Sequence, residues 1–184
     1  PDIDSIPEVK AIGLLLFNYS TQEMVDIYGS VPYVDHKNNV AENPFTFDKG
    51  LDIYATSIDN INTIVACFDH YKNRPDWYKK NLSKVLFTVD VITMDKSIDS
   101  WKRFANSLKL RMAMHCTKVA PALAKQWAEE AVQSGVVETT DQEIALNWNT
   151  NCFYHPLITI GNSWNDTRLN ASFESLLASL EHPY

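Results

Sequence analysis

Apolar residues recur in steps of three and four through most of the chain, the spacing of helices that bury one face. Between Pro7 and Tyr28 the stripe is Val9, Ile12, Leu16, Tyr19 and Ile27, with Glu23 as its polar break. Pro7 suits a first turn, where its missing N–H would be unpaired anyway, and Gly29 supplies a stop, so the predicted helix is 7–28. Leu51, Tyr54, Ile58, Ile61, Val65 and Phe68 predict a second helix over 48–71, with Thr46 or Asp48 as its N-cap. A third, 98–119, follows from Ile98, Trp101, Ala105, Leu108, Met112, His115 and Val119. Pro121 opens a fourth, 121–134, whose apolar face holds Leu123, Ala124, Trp127, Ala128, Ala131 and Val132 before Gly135 ends it. Helices three and four read as an antiparallel pair. Phe173, Leu176, Leu177 and Leu180 predict a last helix, 167–181, ahead of Pro183.

The intervening stretches read differently. Ser30 to Phe47 carries Pro32, Pro44 and several asparagines, a loop composition. In 72–97, Val85, Phe87, Val89 and Val91 alternate like a strand while Leu86, Ile92 and Met94 fill the other face, so a short strand or an apolar loop is expected there. From Gly135 to Asn165 the chain is rich in turn formers. The expected fold is all-α or mainly α: helix pairs joined by long loops in a single helical domain, 1–184.

Composition narrows the function. The 184 residues are 45% hydrophobic, enough for a sizeable core, and carry a net charge of −7 with no Lys/Arg cluster standing out, which argues against nucleic acid. The longest apolar run, Ile12 to Phe17, falls far short of the ~20 residues that span a bilayer. Cys67, Cys116 and Cys152 are odd in number and widely spaced, so no disulfide framework is expected. No nucleophile elbow, P-loop or dinucleotide fingerprint occurs, and no cofactor is expected. Cys152 and His155 are too few for a metal, which wants about four ligands. His115-Cys116 sits in the third helix and reads as packing, while Glu129-Glu130 reads as a solvated face. Asn106 and Arg111 are polar intruders on the third helix, expected to tie loops to the scaffold.

One segment carries candidate chemistry. Trp148, Phe153, Tyr154 and Trp164 stand among Asn147, Asn149, Asn151, Asn162 and Asn165. Flat aromatic faces pack on the apolar face of a sugar ring, and amides both donate to and accept from hydroxyls. Trp148, Phe153, Tyr154, Asn162 and Trp164 are therefore the candidate ligand-binding residues, against the plainer reading that the aromatics pin a loop to the core.

Two motifs resemble a known family. Asp26-Ile-Tyr-Gly-Ser-Val-Pro-Tyr33 is similar to the end of a helix, with its Val-Pro turn, in SusD/RagB-like nutrient-binding proteins; Trp101-Lys-Arg-Phe-Ala-Asn-Ser-Leu-Lys-Leu-Arg-Met-Ala113 resembles their Trp-x-x-Phe-Ala-Asn-Ser-Leu-x-Leu-Arg-x-Ala helix. Asp52-Ile-Tyr54 and Asn170-Ala-Ser-Phe-Glu-Ser-Leu-Leu177 extend the likeness from about Ile12 to Pro183. His115 stands where the family usually has arginine, and His182-Pro183-Tyr184 where Asp-Pro-Arg is usual. Pro1-Asp-Ile-Asp-Ser5 has no leader pattern, so the chain is expected to be an internal piece of a longer protein. The resemblance implies a scaffold of tetratricopeptide-like helix pairs at the outer membrane, lipid-anchored through a cysteine outside this chain. It implies a non-catalytic protein that captures glycans or peptides and docks on a SusC-like TonB-dependent transporter. The rival is a helical carbohydrate-active hydrolase whose carboxylates converge only in space.

Overall fold

The structure, a computed structural model, describes residues 6–37, 45–146 and 156–181. Its elements are helices: α1 (Pro7–Tyr28), α2 (Tyr33–Lys37), α3 (Gly50–Tyr71), α4 (Asp76–Val89), α5 (Ile98–His115), α6 (Pro121–Ser134), α7 (Pro156–Ile158) and α8 (Ala171–Ser179), with a 3-10 turn at Thr140–Gln142 and a π-turn at Thr159–Ser163. Two isolated bridges, Val31 with Asp48 and Thr93 with Ile144, are the only β pairing among the described residues. The chain divides into two compact units, Pro1–Ala145 and Leu146–Tyr184.

In the first unit α1, α3 and α5 pack on one another and α6 packs on α5. Polar contacts give the sense of each pairing. Asp26 of α1 meets Tyr54 of α3 and Asn18 meets Asn60, so residue numbers run in opposite directions and the pair is antiparallel. Lys102 bonds Asp69 and Lys109 bonds Asn62, which makes α5 antiparallel to α3. Asn106 reaches Ser134 and Lys109 reaches Glu130, so α5 and α6 form the expected antiparallel pair.

The core is the predicted apolar stripe of α3 (Ile58, Ile61, Phe68, with Ile53 and Ile64) facing Leu15 of α1 and Trp101, Ala105, Leu108 and Met112 of α5; Trp127 and Ala131 of α6 close it. Burying a side chain of this size stabilises the fold by about 1.5–3 kcal/mol. The stripe on α1 is displaced. Its buried positions are Glu8, Ala11, Leu15, Asn18, Thr21, Gln22 and Val25, most of them one residue out of phase with the expected line; Val9, Ile12, Leu16 and Tyr19 flank it partly buried. Four polar side chains, Glu8, Asn18, Thr21 and Gln22, occupy the inner face, and hydrophobicity alone cannot place them.

The helix ends differ from expectation for local reasons. α3 begins at Gly50, not 48, because Asp48 is engaged elsewhere: its amide bonds Val31 O at 2.9 Å and its carboxylate accepts from Val34 N at 2.8 Å, holding the start of α2. The stretch read as loop therefore contains a helical turn, Tyr33–Lys37, whose Tyr33 ring is buried. A Cβ on Gly50 would lie 3.1 Å from Val25 Cγ1, so glycine permits the close approach of α3 to the end of α1. α5 stops at His115 rather than 119, its last turn closing through Cys116 N to Ala113 O. Ala120 is then pushed out of the helical region ahead of Pro121. α8 covers 171–179 rather than 167–181, opened by Asn170, whose side-chain oxygen accepts from Ser172 N and Phe173 N.

The largest correction concerns 72–97. Residues 76–89 are helical, not a strand or a loop, with Leu82 and Leu86 buried four residues apart and Val85, Phe87 and Val89 exposed. The alternating pattern lay on the solvent side, where nothing selects it. Asp90 shapes the connection to α5: its carboxylate accepts from Ile92 N, Thr93 N, Thr93 Oγ1 and, at 2.8 Å, the indole Nε1 of Trp101.

Candidate functional site

Of the five candidate ligand residues, Trp148, Phe153 and Tyr154 lie outside the described residues, as do Cys152 and His155. Asn162 and Trp164 belong to the π-turn Thr159–Ser163 and its C-terminal flank. The turn is closed by Trp164 N to Thr159 O at 3.0 Å and Asp166 N to Ile160 O at 3.1 Å. Asn165 takes a left-handed φ of 60°, tolerated by asparagine, and Arg168 returns to the carbonyls of Asn165 and Thr167. Trp164 ends up 63% exposed, with Asn162 exposed two residues before it. The closed turn thus carries an exposed indole and an exposed amide two residues apart, groups able to stack on a ring and to bond hydroxyls.

In the first unit the polar positions resolve into structural networks. Glu8, fully buried, accepts from Tyr78 OH at 2.5 Å and Arg74 Nε at 3.2 Å, joining α1 to α4. Burial first, and then the Glu8 carboxylate, push the Tyr78 phenol up to about 12. Asn106 donates to Ser134 Oγ and Gly135 O, tying the end of α6 as expected. Arg111 does not hold a loop; it stays exposed beside Tyr19 and Glu23 of α1. Glu130 is more than a solvated charge, since Lys109 Nζ, with its side chain 5% exposed, lies 2.6 Å away and holds the carboxyl below its ordinary range. Glu129 pairs loosely with Lys125 on the open surface.

At the open end of this unit, Asp26 accepts from Tyr54 OH, Gln22 Nε2 and His115 Nδ1, the last at 2.9 Å. Burial pushes the Asp26 carboxyl up, but donation from Tyr54, His115 and Gln22 outweighs it and holds the group below the usual range. Burial and Asp26 push the Tyr54 phenol far up, and Cys116 is buried with its thiol pushed up by the same two causes. Such a thiol is packing, not a nucleophile. His115, by contrast, is half exposed and binds across to α1, a role its helical position did not reveal. These side chains edge a hollow of ≈ 250 Å³ shared with Gly50, Leu51 and Val119. A second hollow, ≈ 320 Å³ and apolar, lies between Phe17, Thr21 and Met24 of α1 and the Val31-Pro32-Tyr33 turn. Among the described residues no group of three metal-ligating side chains forms, and no helix is long and apolar enough to cross a membrane.

Antiparallel helix pairs that spend their buried polar groups on mutual support define the class of an all-α scaffold. The chain belongs to the SusD-like family: the model described as "Susd and RagB outer membrane lipoprotein" matches residues 2–184. Among solved structures it is similar to a chitin-binding SusD homolog from Flavobacterium johnsoniae, at 28% identity and TM-score 0.81, over 97% of this chain and 35% of that one. SusD-like proteins from Bacteroides thetaiotaomicron (24% identity, TM-score 0.78, covering 94% of this chain and 34% of that one) and Bacteroides vulgatus (24%, 0.79, 96% and 33%) share the fold. The chain thus spans about a third of the length of these relatives. No curated protein matches it.

Proposed function

We propose that the chain is the helical scaffold of a surface glycan-capture protein, which binds an oligosaccharide, or in a related mode a peptide, without cleaving it and delivers it to a SusC-like TonB-dependent transporter. The reading is carried by the family match over residues 2–184, in a family of outer-membrane lipoproteins, with a chitin-binding relative superimposing on 97% of the chain. The exposed Trp164 beside Asn162 supports non-covalent capture, and we place Trp148, Phe153 and Tyr154 with them in the ligand-contact set. A hydrolase would need two carboxyl groups facing each other across a cleft. Neither hollow described above has two carboxylates in its lining, and the buried Glu8 and Asp90 are taken up by structural donors, which favours capture.

The test is retention of chito-oligosaccharides, starch oligosaccharides and peptides by the 184-residue chain and by its Trp148→Ala and Trp164→Ala variants. Losing an aromatic platform worth about 0.5–1.5 kcal/mol should weaken glycan retention up to about tenfold. Unchanged retention in both variants, or turnover of a glycan by the purified chain, would refute the reading.

A further inference from the structure

The outer face of α4 carries exposed aromatic rings and lysines on one helix. Trp77, Lys80, Lys84 and Phe87 follow one another by three, four and three residues, so they share one face, opposite the buried Leu82 and Leu86. Trp77 is 66% and Phe87 72% exposed, although neither ring is loose. Trp77 stands edge-on to Tyr78 with centroids 5.8 Å apart, and the Lys96 ammonium lies 4.7 Å from the Phe87 centroid while bonding Phe87 O at 2.8 Å. Both lysines are exposed, and among the described residues neither ammonium has a carboxylate partner. Neighbouring cations are spoken for: Arg74 by Glu8, and Lys72 and Lys102 by Asp69.

Charge sets the same region apart. Eight of the chain's 16 Lys and Arg residues fall between positions 72 and 103, against four aspartates there and the Asp69 and Glu8 carboxylates that pair with three of them, which leaves a surplus of about two positive charges in a chain whose net charge is −7. A positive corner on an acidic molecule draws anions to one place and repels them elsewhere. The ten-residue step from Trp77 to Phe87 covers about 15 Å along the helix, the length of a few linked sugar rings. Aromatic rings at both ends with cations between them fit a linear chain of sugars bearing carboxylates.

We propose that this face of α4 is a binding site for anionic polysaccharide, with sugar rings stacked on Trp77 and Phe87 and carboxylates paired with Lys80, Lys84 and Lys96. The site rests on the glycan-capture reading but uses residues other than Trp164, and it adds acidic glycans to the ligands the protein takes. Affinity then falls steeply as salt rises, because binding a polyanion releases its counterions.

Polygalacturonate, a neutral starch polysaccharide and anionic phospholipid vesicles are offered to the full 184-residue chain and to Lys80→Glu/Lys84→Glu, Trp77→Ala and Trp164→Ala. Expected is salt-sensitive binding of polygalacturonate, weakened about tenfold or more by reversing two charge-assisted contacts, with the helical circular dichroism spectrum and neutral-glycan retention unchanged. Trp77→Ala should weaken it while leaving the salt dependence as it was, since no charge is lost. Absence of polygalacturonate binding, its persistence in the double variant, or equal affinity for the vesicles would overturn the site. Retention of polygalacturonate by Trp164→Ala together with unchanged neutral-glycan binding would remove the Trp164 reading and leave this one standing.

Discussion

At the scale of single residues, the decisive side chains are polar ones placed where apolar ones were expected. Glu8 is held inside by Tyr78 and Arg74, so Glu8→Ala leaves a partly buried phenol and guanidinium without their acceptor; a loss of about 1–3 kcal/mol in unfolding free energy is expected by denaturant titration. The same contact sets an alkaline limit. With its phenol at about 12 in the fold, against an ordinary value near 10, Tyr78 keeps a proton that the unfolded chain has released, so stability falls as pH rises through that window. Tyr78→Phe should make that fall shallower. Asp26 works in the opposite sense: its carboxyl is held down in the fold, so its contribution is present above the ordinary carboxylate range and is lost as pH drops below it. Asp26→Asn should lower stability at neutral pH and flatten the acid limb of the midpoint-against-pH curve.

At the scale of elements, α4 offers the sharpest contrast between two arrangements of one segment. A strand would bury Val85, Phe87 and Val89 together, whereas the helix buries Leu82 and Leu86. Leu86→Ala is therefore expected to cost about 2–5 kcal/mol, and Phe87→Ala no more than about 0.5 kcal/mol, measured by chemical denaturation; the reverse order would contradict the helix. Ser97, whose hydroxyl accepts from Ser100 N, caps α5, and Ser97→Ala should cost about 1 kcal/mol in the same measurement. Helix α1 is legible in its bounds but not in its inner face, whereas the stripes of α3, α5 and α6 are legible with the large apolar side chains that fill the core. α4 escaped because two leucines are too few to set a period, and its exposed valines and phenylalanine supplied a competing one. The lysines on its outer face were equally hidden, since Lys80 and Lys84 become neighbours only once the segment is helical.

At the scale of the whole molecule, the apolar stripes of α3, α5 and α6, the proline and glycine punctuation at Pro7, Gly29, Pro121 and Gly135, and the Trp101–Ala113 motif sufficed to determine an all-α chain of antiparallel pairs and its family. Reading from the sequence treats His115 as packing and finds neither the Asp26 clasp nor the α4 face. Those depend on partners far apart in the chain: Glu8 with Arg74 and Tyr78, Asn18 with Asn60, Asp26 with Tyr54 and His115. Hydrophobic periodicity carries local information, because an apolar side chain prefers burial against almost any apolar neighbour. A polar side chain is buried only where specific donors or acceptors meet it, and which ones do so is decided by how the helices stack. Tertiary packing therefore chose the inner face of α1, the helical state of α4 and the surfaces left open, while the sequence alone had already determined the helices that pack.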